Sequence, residues 1–423
     1  MLALIGKITN VNKIYNIINK NHLSLLALLC IPLIYIPNNY TAISTLRALA
    51  LFGISTGILF YNHVEIVNDF KRFNKVRAQF KTIFLIVLLV VLGSLIKSSQ
   101  PISEILLGTP PVYLGILSWL CFVVLAVTNR KTFTRHISSS SAITIFTIIL
   151  SFSILIDFDN IWHGIRISGL LVQSTTLAMY AVLVIVIIFY KLINKNTENK
   201  LLLLHYITLI LAIIILLLTQ SRIGYLSLLI SLGLITLKFN IKSKKILLCV
   251  LTIVVLLPLL AITQKNYFYR FQANRINQGS SYRSSMYYLS LLDVSKNNIV
   301  FGNGPGSLPV SINDINQVPA DLADTLNQSI VFSSTHNLFL DMAYYFGLIF
   351  SFLLFAIALF GIILGLLSRD PETGVLSIIV LILFLNAVFN VPSIELTSLF
   401  FISLASLIYK LPVNYKLKTR LSY

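Results

Sequence analysis

The chain has 423 residues, of which 57% are hydrophobic and only 11% charged, whereas an ordinary soluble domain is about a quarter charged; a soluble globular protein is excluded. The net charge of +18 would point to nucleic acid in a soluble chain, but the basic residues fall between apolar blocks, so the charge belongs to membrane topology and implies no nucleic-acid partner. The three cysteines, Cys30, Cys121 and Cys249, all lie inside apolar blocks, which argues for small core residues and against a disulfide framework.

Residues 1–20 carry Lys7, Lys13 and Lys20 without a long apolar run or a small-residue cleavage site. The first apolar stretch therefore reads as a retained span, not a signal peptide. The blocks that follow are about 16 to 24 residues long, enough for a helix to cross a hydrocarbon core of roughly 30 Å. In lipid each backbone donor and acceptor must be paired within the chain, so these blocks are helices. Spans are predicted at 22–37, 41–60, 80–97, 111–128, 141–157, 168–190, 201–218, 223–238, 246–263, 337–367, 373–391 and 395–411. The fold class is an all-α polytopic membrane protein with about 12 transmembrane helices.

The Lys/Arg bias sets the sides. Lys7 to Lys20, Lys71 to Lys81, Arg130, Lys131 and Arg135, Lys191 to Lys200, Lys238 to Lys245, Arg369, and Lys410 to Arg420 all fall on one face, taken as cytoplasmic. Both termini lie there. Arg47, Lys97, Arg166, Arg222, Lys265, Arg270, Arg275, Arg283 and Lys296 fall at or near the outer face. The chain thus divides into spans one to nine (1–263), a long external loop (264–335), and three further spans with a cytoplasmic tail (336–423).

A connection as long as 264–335 is usually functional or disordered, and this one carries signals of order. "YRSSMYYLSLLDV" from Tyr282 has helical apolar spacing at Met286, Leu289 and Leu292, and "ADLADTLNQSIVF" from Ala320 suits a second short helix. Between them "FGNGPGS" (Phe301 to Ser307) is a turn-rich break. It lacks the Gly-Lys-Ser/Thr ending of a phosphate loop and faces away from cytoplasmic ATP, so it reads as a turn.

Cytoplasmic charges are explained by topology; the outer ones need another reason. Arg222 sits in "TQSRIG", in a very short connection between spans seven and eight. Arg270, Arg275 and Arg283 follow in the long loop, and Arg47 and Arg166 lie near the outer ends of spans two and six. A guanidinium fork matches phosphate oxygens bidentately, so a positive cluster at this surface suits an anionic ligand, against the plainer reading of arginines that snorkel to lipid phosphates.

His336 opens the tenth span. Ser334 or Thr335 is the expected N-cap, which sets the imidazole at the positive end of that helix. That end disfavours the imidazolium, so His336 is expected to be neutral near neutral pH and able to accept a proton. The same end attracts phosphate. A plain interfacial histidine fits the position equally well on these grounds alone. Asp341, on another face, is expected to be a bundle-facing hydrogen-bond partner. "DFDN" (Asp157, Asp159) has no third ligand in view, and no His/Cys cluster has zinc spacing, so no metal site is predicted. Trp162 and His163 beside Arg166 suit an interfacial anchor.

From about residue 219 to 367 the chain resembles the O-antigen ligase and polymerase superfamily of bacterial envelope glycosyltransferases. "TQSRIGYLSLL" after the seventh span, "SSYRSSMYYLSLLDVSKNNIVFGNGPGS" in the long loop and "THNLFLDMAYYFGLI" opening the next span carry the resemblance; the first half matches in topology only. The resemblance implies a glycan donor on undecaprenyl pyrophosphate, a lipid A–core acceptor, and no metal or other cofactor. It implies that Arg222 and Arg283 contact the pyrophosphate and that His336 is the base or the orienting group for the acceptor hydroxyl. Arg47, Arg166, Arg270 and Arg275 are further candidate substrate contacts. It also implies the bacterial inner membrane, with the active site facing the periplasm. Ligase is the first reading, on family length and the single long loop, and polymerase the alternative; both use the same cradle. A transporter fits less well, because the ionisable residues collect at the outer ends and the long loop has no counterpart in the first half.

Overall fold

The computed structural model describes residues 20–37, 39–73, 78–108, 114–131, 133–163, 165–193, 199–239, 287–295, 299–308, 310–311, 331–332 and 334–411. In chain order the helices are α1 (Lys20–Leu29), α2 (Tyr40–Phe73), α3 (Ala78–Lys97), α4 (Ile102–Leu107), α5 (Ile116–Asn129), α6 (Phe133–Ile137), α7 (Ser140–Ile156), α8 (Phe158–Trp162), α9 (Ser174–Ile193), α10 (Asn199–Thr219) and α11 (Arg222–Phe239). Beyond them come α12 (287–295), α13 (Leu338–Phe346), α14 (Leu348–Leu367), α15 (Pro371–Phe389) and α16 (Ile394–Lys410). A two-residue antiparallel pair, β1 (Val310–Ser311) with β2 (Val331–Phe332), joins Val310 to Phe332 and Ser311 to Val331 in the loop.

Among the described residues six helices are long and apolar enough to cross a membrane. Their outward faces are apolar too: Phe60 is 78% exposed, Leu237 80% and, on α3, Ile96 88%. Water does not tolerate so continuous an apolar exterior; lipid does. At the centre stands α9, whose residues from Leu177 to Ile188 are buried all round, as expected of a helix apolar on every face. It packs against α10, α11 and α15. The predicted span 246–263 lies outside the described residues.

Two predicted spans are corrected. Residues 22–37 are not one helix: α1 stops at Leu29 and the chain passes into a 3-10 turn at Ile31–Leu33, because Pro32 has no N–H and its ring crowds the preceding turn. Residues 337–367 are likewise two helices, α13 and α14, broken at Gly347 (φ 91°, ψ 160°). The "FGNGPGS" turn replaces the missing helical hydrogen bonds. Leu348 N–H donates to the Ile299 carbonyl at 2.9 Å, while the Tyr344 and Tyr345 carbonyls accept from Asn303 N–H at 2.7 Å and Gly304 N–H at 3.2 Å. A side chain at Gly347 would overlap the Val300 carbonyl. In the other direction α2 runs past its apolar window Thr41–Phe60, the polar residues 61–73 continuing the helix.

Helix ends fix the relative directions. Lys238, in the last turn of α11, donates to the Leu366 carbonyl at 2.8 Å and also to the Ser368 carbonyl, a cation set on the exposed carbonyls of α14. Its stem lies against Gly374 at the start of α15, where Asp370 caps the helix by accepting from Thr373 N–H at 2.9 Å. So α11 and α15 pack antiparallel. At about 1.5 Å per residue, Arg222 and the end of α15 near Val388 lie at about the same level, opposite Lys238.

Candidate functional site

Arg222 is the first residue of α11 and is exposed. Its helix begins sharply because Gln220 adopts a left-handed conformation (φ 49°) and Ser221 Oγ accepts from Gly224 N–H at 3.3 Å. Arg222 therefore stands at a positive helix end, a place that favours anions. Arg166 is drawn to the same place. Its Nε donates to the Thr219 carbonyl at 2.8 Å, and Ile167 N–H donates to the Leu218 carbonyl at 3.3 Å.

The segment carrying Arg166 is anchored by Asp157, which is buried. Its Oδ2 accepts from Ser168 and Gly169 N–H, each at 2.6 Å, and its Oδ1 from Asn160 Nδ2 at 3.0 Å. Both oxygens of this carboxylate thus fold the loop. Asp159 stays exposed, beside His163 Nδ1 at 3.4 Å, and Trp162 is 80% exposed, a placement that suits an amphipathic anchor.

Arg47, expected as a substrate contact, has its guanidinium engaged inside the bundle and is only 5% exposed. Nη1 pairs with Glu395 Oε1 at 2.6 Å, Nε donates to the Ile34 carbonyl at 3.2 Å, and Nη2 donates to the carbonyls of Pro32 at 3.1 Å and of Leu170. It ties α2, the 3-10 turn after α1, the loop before α9 and the start of α16 together. That is a scaffold role. Arg270, Arg275 and Arg283 lie outside the described residues.

His336 is partly buried and carries an unusual backbone, φ 60°. Its carbonyl lies 3.4 Å from Tyr287 Oη of α12, and the same hydroxyl lies 3.4 Å from the Val388 carbonyl at the end of α15. Tyr287 thus fixes His336 at the level of Arg222. The expected cap is corrected: Asn337, not Ser334 or Thr335, caps α13, its Oδ1 accepting from Phe339 N–H at 2.9 Å and Leu340 N–H at 3.2 Å. The two hydroxyls expected to cap are instead taken up by Asp341, whose Oδ2 accepts from Ser334 Oγ and whose Oδ1 accepts from Thr335 Oγ1, each at 2.7 Å. His336 nonetheless remains at the positive end of a helix.

The sequence reading missed the parts played by Asn337 and Tyr287. Asparagine before an apolar run was a readable capping signal. Nothing local to α12 announced that Tyr287 would reach a carbonyl 49 residues on.

Fold and site together define a multi-span helical membrane protein in which Arg166, Arg222 and His336 lie at about one level, at the end of the bundle opposite Lys238. Residues 207–356 match the family model described as O-antigen ligase, a finding that supports the resemblance to the O-antigen ligase and polymerase superfamily over that stretch. The matched residues include both Arg222 and His336. Among curated proteins none matches the chain.

Proposed function

We propose that the protein is an O-antigen ligase-like glycosyltransferase that moves a polysaccharide from undecaprenyl pyrophosphate to a hydroxyl of lipid A–core. In this reading it crosses the bacterial inner membrane twelve times, with both termini cytoplasmic and residues 264–335 in the periplasm. The observation that carries the reading is the shared level of Arg222, Arg166 and His336 within a bundle whose residues 207–356 match the family.

The acceptor hydroxyl oxygen attacks the anomeric carbon of the glycan, a new C–O bond forms, and the bond to phosphate breaks. The hydroxyl proton passes to the His336 imidazole, or His336 orients the hydroxyl and the proton leaves to water. Negative charge grows on the departing pyrophosphate, where fixed cations stabilise it more than they stabilise the ground state. Arg222 and Arg283 are assigned to the pyrophosphate, with Arg166, Arg270 and Arg275 as further anion contacts. Arg47 is left to the scaffold. The donor is already activated, so the reaction draws on no nucleotide and no metal. Apolar helix faces flank the polyprenyl tail.

The test is gel analysis of envelope glycolipid from cells lacking the gene, complemented with variants. Loss of all long chains from lipid A–core, with polymer still on the carrier, is the ligase outcome; cores bearing a single repeat would identify a polymerase. His336→Ala and Arg222→Ala are expected to insert normally and to abolish transfer, and normal attachment by either would refute its assigned role.

A further inference from the structure

We propose that Asp341 is the positioning residue of the transfer site, holding the backbone from which the His336 side chain projects. The inference rests on the reading of His336 given above. Asp341 lies in the first turn of α13, its own N–H bonded to the Asn337 carbonyl at 2.9 Å, and it is 1% exposed. A carboxylate near a helix start is stabilised by the dipole while facing solvent. Burial of this one is unfavourable unless donors satisfy it.

Three donors do so, and all come from the two residues before His336. Besides the two hydroxyls already described, the Thr335 N–H donates to Oδ1 at 2.7 Å. Ser334 Oγ then accepts from the His336 N–H at 3.1 Å, so a single hydroxyl links the carboxylate to the histidine backbone. His336 sits at φ 60°, a conformation a non-glycine residue keeps only where its surroundings over-determine it. The Asp341 network supplies that constraint from the N-terminal side; Asn337 supplies it from the C-terminal side. Without the carboxylate, Ser334 and Thr335 lose their common anchor and His336 is released toward an extended conformation, carrying the imidazole away from its place in the site.

The experiment uses the full chain in membranes, supplied with undecaprenyl-pyrophosphate-linked glycan and lipid A–core. Asp341→Ala is expected to lower kcat about 10²-fold, the order expected of a displaced catalytic group, with the donor KM little changed. Asp341→Asn keeps one oxygen for both Thr335 donors, and the Ser334 hydroxyl rotates to accept from the amide; its activity is expected within about tenfold of the parent. A second readout does not depend on chemistry. With Cys30, Cys121 and Cys249 replaced by serine, His336→Cys is labelled with a water-soluble maleimide, and adding Asp341→Ala changes the labelling rate severalfold while Asp341→Asn does not. Should Asp341→Ala fail to accumulate, Ser334→Ala carries the same two readouts, because it cuts the link between Asp341 and the His336 N–H. An unchanged kcat and labelling rate in Asp341→Ala, or an Asn variant as damaged as the Ala variant, overturns the proposal. If instead His336→Ala still transfers glycan while the labelling responds as stated, the function assigned to His336 falls and the structural coupling stands.

Discussion

Glu395→Ala removes the carboxylate that neutralises Arg47 and tests whether Arg47 is scaffold or substrate contact. The partners meet at 2.6 Å with side chains only 6% and 5% exposed, so the variant strands a guanidinium away from water. Breaking one side of a buried pair destabilises by about 3–5 kcal/mol. Carbonyls of Pro32, Ile34 and Leu170 still accept from the guanidinium, which sets the expectation at the lower end, about 3 kcal/mol. With chains of 150–250 residues shifting by about 2–4 °C per kcal/mol, a loss of about 5 °C in the melting midpoint is expected for this longer chain. The assay is thermal unfolding of purified protein in detergent, followed by aggregation on size exclusion. Arg47→Met combined with Glu395→Leu is expected to recover most of the loss, since a packed apolar pair often replaces a buried ion pair without penalty. Glycan transfer by the double variant at permissive temperature is expected to stay near the parent level. A midpoint within about 1 °C of the parent in Glu395→Ala, or transfer abolished in a stable double variant, would refute the scaffold assignment.

Gly347→Ala places a side chain against the Val300 carbonyl at φ 91°; a loss of about 1–3 kcal/mol and protease sensitivity at residues 299–306 are expected, checked by limited proteolysis in intact membranes. Tyr287→Phe deletes a hydroxyl 3.4 Å from both the His336 and Val388 carbonyls. It is expected to lower stability by about 1 kcal/mol or less while reducing transfer more visibly than it reduces the melting midpoint. Asp157→Ala leaves the Ser168 and Gly169 amides, each bonded at 2.6 Å in the parent, without their acceptor; a loss of about 2 kcal/mol is expected, and transfer by the parent enzyme is expected to be insensitive to a chelator.

How much of this was legible in the sequence depends on the range of the forces involved. Apolar blocks announced their helices because a membrane span is set by local hydropathy and length, and α7, α10, α11, α15 and α16 fall within two residues of their predicted bounds. The break at Gly347 was not legible, because Met342 to Leu367 is almost wholly apolar and the interruption is made by a turn about forty residues upstream in the chain. Glycine at 302, 304 and 306 showed a turn but not what it touches: Gly302 is packed on the Tyr344 carbonyl, Gly304 on Ser98 and Gly306 on the Glu104 backbone. Arg47 shows the same limit for charge. Topology placed it at the outer end of α2, yet its partner Glu395 is 348 residues away, and only the packing of α2 with α16 reveals that it faces inward.

On the proposed function, the break within residues 337–367 also explains how a transfer site is built on a lipid-embedded frame. A continuous helix from 337 to 367 would tie the height and rotation of His336 to the packing of its whole length in lipid. With the interruption at Gly347, the nine residues of α13 form a separate unit clamped at both ends, by Asp341 and Tyr287 near His336 and by Asn303 and Gly304 at Tyr344 and Tyr345. The lipid-facing helix α14 is joined to it through the turn, and Ser351 of α14 still reaches the Phe339 carbonyl, so the two halves stay side by side. Such a unit holds a side chain to tolerances that a tilting transmembrane helix does not, which is what a transfer reaction driven by positioning and charge requires.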